Sequence, residues 1–260
     1  MKRLTILMAL AVFLMGCATA CPIPKQYFAE APETAGQKYA ILISGQIEGK
    51  HIKNIEAAFG VLLKSGFLRK NIIIFDATGN QNRPYPVNAP ADAKSIRLCL
   101  RYLANQIGPN DLLFIYVTDH GRLDERLLIP DTRGTILSQY QKKQKIAEIG
   151  LFGRFLDEID FAACVDKIKP GIGVFIFTQC YGGSFAERLA GKNRITISAN
   201  EKYATCDSRA FSKLFFSAFY RKTADNVSVR EAFEYVIENN NSFQEPQMFY
   251  GVKRDIYLNQ

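Results

Sequence analysis

Five short apolar runs leave this chain little choice of architecture. "KYAILIS" (38–44), "NIIIF" (71–75), "DLLFIYVT" (111–118) and "GVFIFTQ" (173–179) place apolar residues at consecutive positions, and "RITISAN" (194–200) reads as the fifth strand. A strand with one face in water alternates apolar with polar residues; a strand covered on both faces does not. Helical spacing fills the gaps between the runs. In "HIKNIEAAFGVLLKSG" (51–66) the apolar series is Ile52, Ile55, Ala58, Phe59, Leu62 and Leu63, and Gly66 is a stop signal. "AKSIRLCLRYLANQIG" (93–108), 208–221 and 228–239 also read as helices. Buried strands separated by helices predict one α/β domain over 38–260, a three-layer α/β/α sandwich on a mainly parallel sheet with right-handed crossovers. Residues 77–91, rich in Gly, Asn and Pro, read as a loop. After His120, "ERLLIPDTRG" reads as a strand and turn, followed by a long amphipathic stretch through Lys169. "EPQMFYG" (245–251) reads as ordered, without an assignable role.

The first residues are organised differently. Lys2 and Arg3 precede an apolar core of 12 residues from Leu4 to Met15, followed by small residues. That is the layout of an export signal, and it is too short to span a bilayer. Two cleavage patterns overlap. Ala18-Thr19-Ala20 fits ordinary cleavage before Cys21, whereas "LMGC" resembles a bacterial lipobox that makes Cys17 the lipidated first residue. We read residues 1–16 as a lipoprotein-type signal peptide and 17–37, with three prolines and no periodicity, as a tether. The expected location is the cell envelope, anchored to the membrane through the lipid. Removing the signal lowers the net charge from +8 to about +6, a mild excess that suits a solvated surface. No basic-aromatic pattern argues for nucleic acid.

Of the six cysteines, Cys99 sits in a helical pattern and reads as a small buried hydrophobe, and Cys164 and Cys206 read as buried or as a pair. Cys180 stands apart. In parallel sheets the chemistry gathers at the carboxyl ends of the strands. "FIYVTDHG" puts His120 at the end of the third strand, and "FIFTQCYGG" puts Cys180 at the end of the fourth. Each alone is readily structural, but together they form a nucleophile and its base. Gly182 and Gly183 relax the turn after Cys180, and Ser184 is placed to cap the following helix. The N–H groups of Gly121 and Cys180 are candidate oxyanion donors. A metal site is not expected, because His51 and His120 lie far apart in sequence and no pair has zinc spacing.

Here the chain resembles the legumain-like (asparaginyl endopeptidase) cysteine peptidases of the caspase-like fold. The likeness spans roughly residues 39–220. It rests on "YVTDHG", on "FTQCYGG" with Gln179 where the family has alanine, on Lys50-His51 in place of an Arg-His pair, and on "ITISAN". The resemblance implies peptide-bond hydrolysis, with Cys180 as nucleophile, His120 as general acid/base, and no metal or organic cofactor. It aligns Glu48 with the residue that steadies the histidine. It assigns substrate binding to Lys50, His51 and Asp207, with Tyr181 replacing an acidic residue of the family's pocket. Lysine lacks the planar fork of arginine, so the preferred side chain before the scissile bond stays open. Two other readings remain beside the endopeptidase: a membrane-tethered binding protein that lost turnover, and a transpeptidase that passes the same acyl-enzyme to an amine. The expected partner is a protein or peptide substrate.

Overall fold

The computed structural model describes residues 36–127, 143–221 and 227–260. The signal segment, Cys17 and all but the last two residues of the tether lie outside them. Among the described residues nine strands and six α-helices follow in chain order: β1 (Lys38–Ser44), α1 (Gly49–Lys64), β2 (Ile72–Asp76), α2 (Ala93–Leu103), β3 (Leu112–Val117), β4 (Gly121–Leu127), β5 (Lys143–Leu151), β6 (Arg154–Asp157), α3 (Glu158–Val165), β7 (Ile172–Phe177), α4 (Gly182–Leu189), β8 (Arg194–Ser198), α5 (Ser208–Arg221), α6 (Val229–Asn239) and β9 (Gln247–Tyr250). Six strands form one sheet in the order β2-β1-β3-β7-β8-β9, parallel except for β9.

Successive side chains on each central strand enter different cores. Leu42, Phe114, Tyr116, Val174 and Ile176 pack with α1, α5 and α6. Ile41, Ile43, Ile115, Val117, Phe175 and Phe177 pack with α2, α3 and α4. The architecture is therefore a three-layer α/β/α sandwich on a mainly parallel sheet, and the missing alternation in the apolar runs records burial on both faces. The helix ends are chemically marked. Asp92 caps α2 by accepting from the Ser95 N–H at 2.9 Å, and Ser228 forms a reciprocal capping box with Glu231. Gly66 has φ +80°, and its N–H and that of Phe67 close on Leu63 and Leu62, so α1 ends where the glycine predicts.

Two regions differ from the sequence expectation. Among the described residues between His120 and Lys169 the chain builds a three-stranded antiparallel sheet, β4-β5-β6, and α3 is the only helix; the turn expected in "ERLLIPDTRG" lies outside the described residues. Here β4 pairs with β5 from Gly121↔Ile149 to Leu127↔Lys143; Arg122 and Lys145 are exposed, whereas Glu148 is buried and held by Arg122. "EPQMFYG" supplies β9, the antiparallel edge strand on β8. Among the described residues no helix is long and apolar enough to cross a membrane.

Candidate active site

Val117 and Phe177 are register partners at the ends of β3 and β7, so both segments leave the sheet at one level. Three residues further along each segment stand His120 and Cys180. Their backbones touch: a Cβ built on Gly121 would lie 1.9 Å from the Cys180 carbonyl oxygen. The Gly121 N–H also hydrogen bonds to the Cys180 sulfur. A side chain at residue 121 would push the two strand ends apart. The backbone also grips His120. Its N–H donates to Asp119 Oδ1 at 2.6 Å, its carbonyl accepts from Gly150 at 2.7 Å, and Asp119 also accepts from Gly45 beyond β1.

The start of α1 brings three more of the sequence candidates to this point. Glu48 holds the N-cap position but makes no side-chain cap. Its Oε1 lies 2.8 Å from His120 Nε2 and its Oε2 3.1 Å from Lys50 Nζ. These partners, His120 first, hold the Glu48 carboxyl down at about 2. Nδ1 is the ring nitrogen of His120 that Glu48 leaves open. His51 is fully buried, with Nδ1 3.0 Å from Thr118 Oγ1, which also accepts from Asn54 Nδ2 at 2.9 Å. The His51 and His120 rings meet edge to face with centroids 5.4 Å apart. Burial, then the charges of Lys50 and His120, hold His51 down at about 4, so it is neutral at pH 7. Its Nε2 meets no protein partner among the described residues. Asp207 is exposed; its Oδ1 accepts from the Arg209 N–H at 2.9 Å, and its charge reaches His51.

Cys180 is half-buried and its thiol is lowered to about 6. The largest cause is a hydrogen bond from the Cys206 thiol. The Cys206 N–H at 3.3 Å, the charge of His120 and the Gly121 N–H act in the same direction, and burial opposes them. The Cys206 thiol is pushed up in turn. It has one proton and two acceptors, the Cys180 sulfur and the Thr178 carbonyl at 3.1 Å; a thiolate is the stronger acceptor of the two. A thiol lowered in this way favours the thiolate form, and in its protonated form the Cys180 S–H faces the Cys206 carbonyl at 3.6 Å.

The turn after Cys180 is not built as the glycines imply. Tyr181, with φ 62°, takes the left-handed conformation at the N-cap of α4. Gly183 instead admits a crossing segment: a Cβ there would lie 2.4 Å from the Lys202 nitrogen. Ser184 does not cap α4; it sits buried inside the first turn, and its Oγ has no partner among the described residues. The buried amide of Gln179 likewise has none.

Folding thus collects Glu48, Lys50, His51, His120, Gly121, Cys180 and Asp207 around adjacent strand ends. The sequence reading passed over three supporting residues. Thr118 holds His51 and is itself held by Asn54, and Cys206 faces Cys180 rather than Cys164; all four described cysteines are free. One signal for Cys206 exists in the sequence, since it follows β8, the strand beside β7, in a loop on the same sheet edge. The separation of His51 and His120 in sequence is erased by the fold, because α1 begins beside the end of β3.

Comparisons with family profiles and with curated protein sequences find no match. Comparison with solved structures does. Protein GSU0716 from Geobacter sulfurreducens superposes with a TM-score of 0.59 at 13% identity, covering 84% of this chain and 95% of its own. The caspase drICE superposes with a TM-score of 0.52 at 11% identity, covering 86% of this chain and 91% of its own. The α/β fold of this chain is caspase-like.

Proposed function

We propose that this chain is an exported cysteine endopeptidase of the legumain-like kind, in which Cys180 and His120 form the dyad. The observation that carries the reading is the meeting of the Cys180 and His120 strand ends across Gly121, where the Cys180 sulfur also accepts from the Cys206 N–H at 3.3 Å. The Cys180 sulfur attacks the scissile carbonyl carbon, a carbon–sulfur bond forms, and the carbonyl π electrons move to oxygen. The N–H groups of Gly121 and Cys180 donate to that oxyanion. Collapse breaks the carbon–nitrogen bond, and the leaving amine takes a proton from His120. Water, giving a proton to His120, then cleaves the thioester and restores the thiolate. Glu48 is a positioning residue that holds the imidazole through Nε2. Lys50, His51 and Asp207 border the space where the residue before the scissile bond is read. Export and the Cys17 anchor belong to this proposal through the residues 1–37 that carry them.

The test is full-length protein and its Cys180→Ala variant on a peptide library varied before the scissile bond. Cleavage is expected from the parent chain, with a loss of about a million-fold in the variant. Added amine separates hydrolysis from transfer, since a transpeptidase would yield amide products. If neither protein cleaves and Cys180 resists an electrophilic probe from about pH 5 to 8, the tethered binding protein replaces the peptidase.

A further inference from the structure

Glu48, His51 and His120 each offer one ligand atom, and the three atoms lie within 4.8 Å of one another. We propose that this cluster is a binding site for a borderline divalent transition-metal ion, Zn2+ above all, made by Glu48 Oε1, His51 Nε2 and His120 Nε2. The inference does not rest on the peptidase reading.

The strongest observation is His51. It is fully buried, yet Nε2 meets no protein partner among the described residues. A buried ring nitrogen without a partner is unfavourable, and an ion supplies the missing partner. The surroundings prepare the required tautomer. Thr118 Oγ1 already accepts from Asn54 Nδ2, and its second lone pair is suited to accept His51 Nδ1–H. That leaves the Nε2 lone pair free, as metal-bound imidazoles need, with the other nitrogen held by an oxygen.

Donor type points to the class of ion. Two imidazoles and one carboxylate suit zinc with an open fourth position, whereas magnesium and calcium prefer all-oxygen sites. Ligand distances of about 2.0–2.2 Å place tetrahedral donors roughly 3.4 Å apart. Glu48 and His120 are half exposed and already 2.8 Å from each other, so small side-chain rotations close the site on the fixed His51. The local charge is mixed. Glu48, Asp207 and the Cys180 thiolate favour a cation, and Lys50, 3.1 Å from Glu48 Oε2, opposes one. A bound ion would take Nε2 of His120 and the carboxylate beside it, so it would compete with any substrate that uses this edge of the sheet.

The experiment is Zn2+ titration of the full-length protein against a chromogenic chelator, with X-ray absorption on the loaded sample. One ion should bind with nitrogen and oxygen donors at about 2.0–2.2 Å, two of them imidazoles. Glu48→Gln and His120→Gln alter half-exposed side chains and should each weaken binding by at least about 100-fold, since even outer-shell changes cost about 10- to 100-fold. In His51→Gln carrying zinc, the imidazole count should fall from two to one. Lys50→Met should tighten binding several-fold by removing the opposing charge. Cys180→Ala should still bind. Sulfur donors at about 2.3 Å, undiminished binding in Glu48→Gln or His120→Gln, or no stoichiometric zinc in the parent chain would each overturn the site. None of these readings requires peptide cleavage, so failure here and failure of the peptidase reading are separate results.

Discussion

The histidine side of the candidate site is ionic and open, whereas the cysteine side is half-buried and held by the Cys206 thiol together with backbone N–H groups. His120 and Glu48 are 49% and 48% exposed, and their contact depends on two side chains meeting in water. Cys180 is lowered by a thiol and by N–H groups that the fold itself places. Exposed ion pairs are individually weak and are screened by salt. Backbone donors neither titrate nor drift. The protonation of Cys180 is therefore set by the fold, and the state of the Glu48–His120 pair is open to ions, pH and ligands.

Gly121 belongs to both sides, so changing it should have the largest effect. In Gly121→Ala the new methyl would collide with the Cys180 carbonyl, and the strand ends must separate. Displacements near 1 Å cost about 100-fold in rate, so peptide cleavage should fall by at least about 100-fold. Cys180 alkylation, followed by peptide mapping, should slow with it. Normal rates in both assays would show that the two sides are not coupled through this contact.

Glu48→Gln tests the ionic side alone. Glu48 titrates near 2 in the folded chain, below the ordinary range. Its stabilising pull on His120 is thus fully present above about pH 4.5 and is lost only as pH falls through about 2. Over pH 5–8 the variant should therefore cleave about 10-fold more slowly, less than the roughly 100-fold that marks the low end for losing an acid/base group outright, with no pH in that window restoring it. Alkylation of Cys180 should change little, and a large change there would break the separation between the two sides.

The smallest effect is expected from Cys206→Ala. The Cys206 backbone N–H remains, but the thiol donor is gone, so the Cys180 midpoint should move up from about 6 toward ordinary cysteine values. Alkylation should slow several-fold at pH 6 and approach the parent rate near pH 9, where both thiols ionise. An unchanged midpoint would assign the low thiol to His120 and Gly121 instead.

The central strands, α1, α2, α5, α6 and the positions of His120 and Cys180 at strand ends were legible because burial on both faces writes continuous apolar runs. The β4-β5-β6 sheet was not, since its half-exposed strands hold few consecutive apolar residues and their charges repeat at intervals a helix also permits. At β9 four partly buried residues gain their partner only from β8. Ser184 was misplaced because the crossing of 201–202 over Gly183 sets where α4 begins.

By itself the sequence determined the sheet, its two helical layers and a thiol and an imidazole at strand ends, because local periodicity and burial are properties of short segments. Only the tertiary structure decided which side chains meet there: Glu48 with His120, His51 with His120, and Cys206 with Cys180. Those meetings join residues from 26 to 72 positions apart. They follow from strand register and helix placement, which bring distant segments within bonding distance and leave no mark in the spacing of the chain.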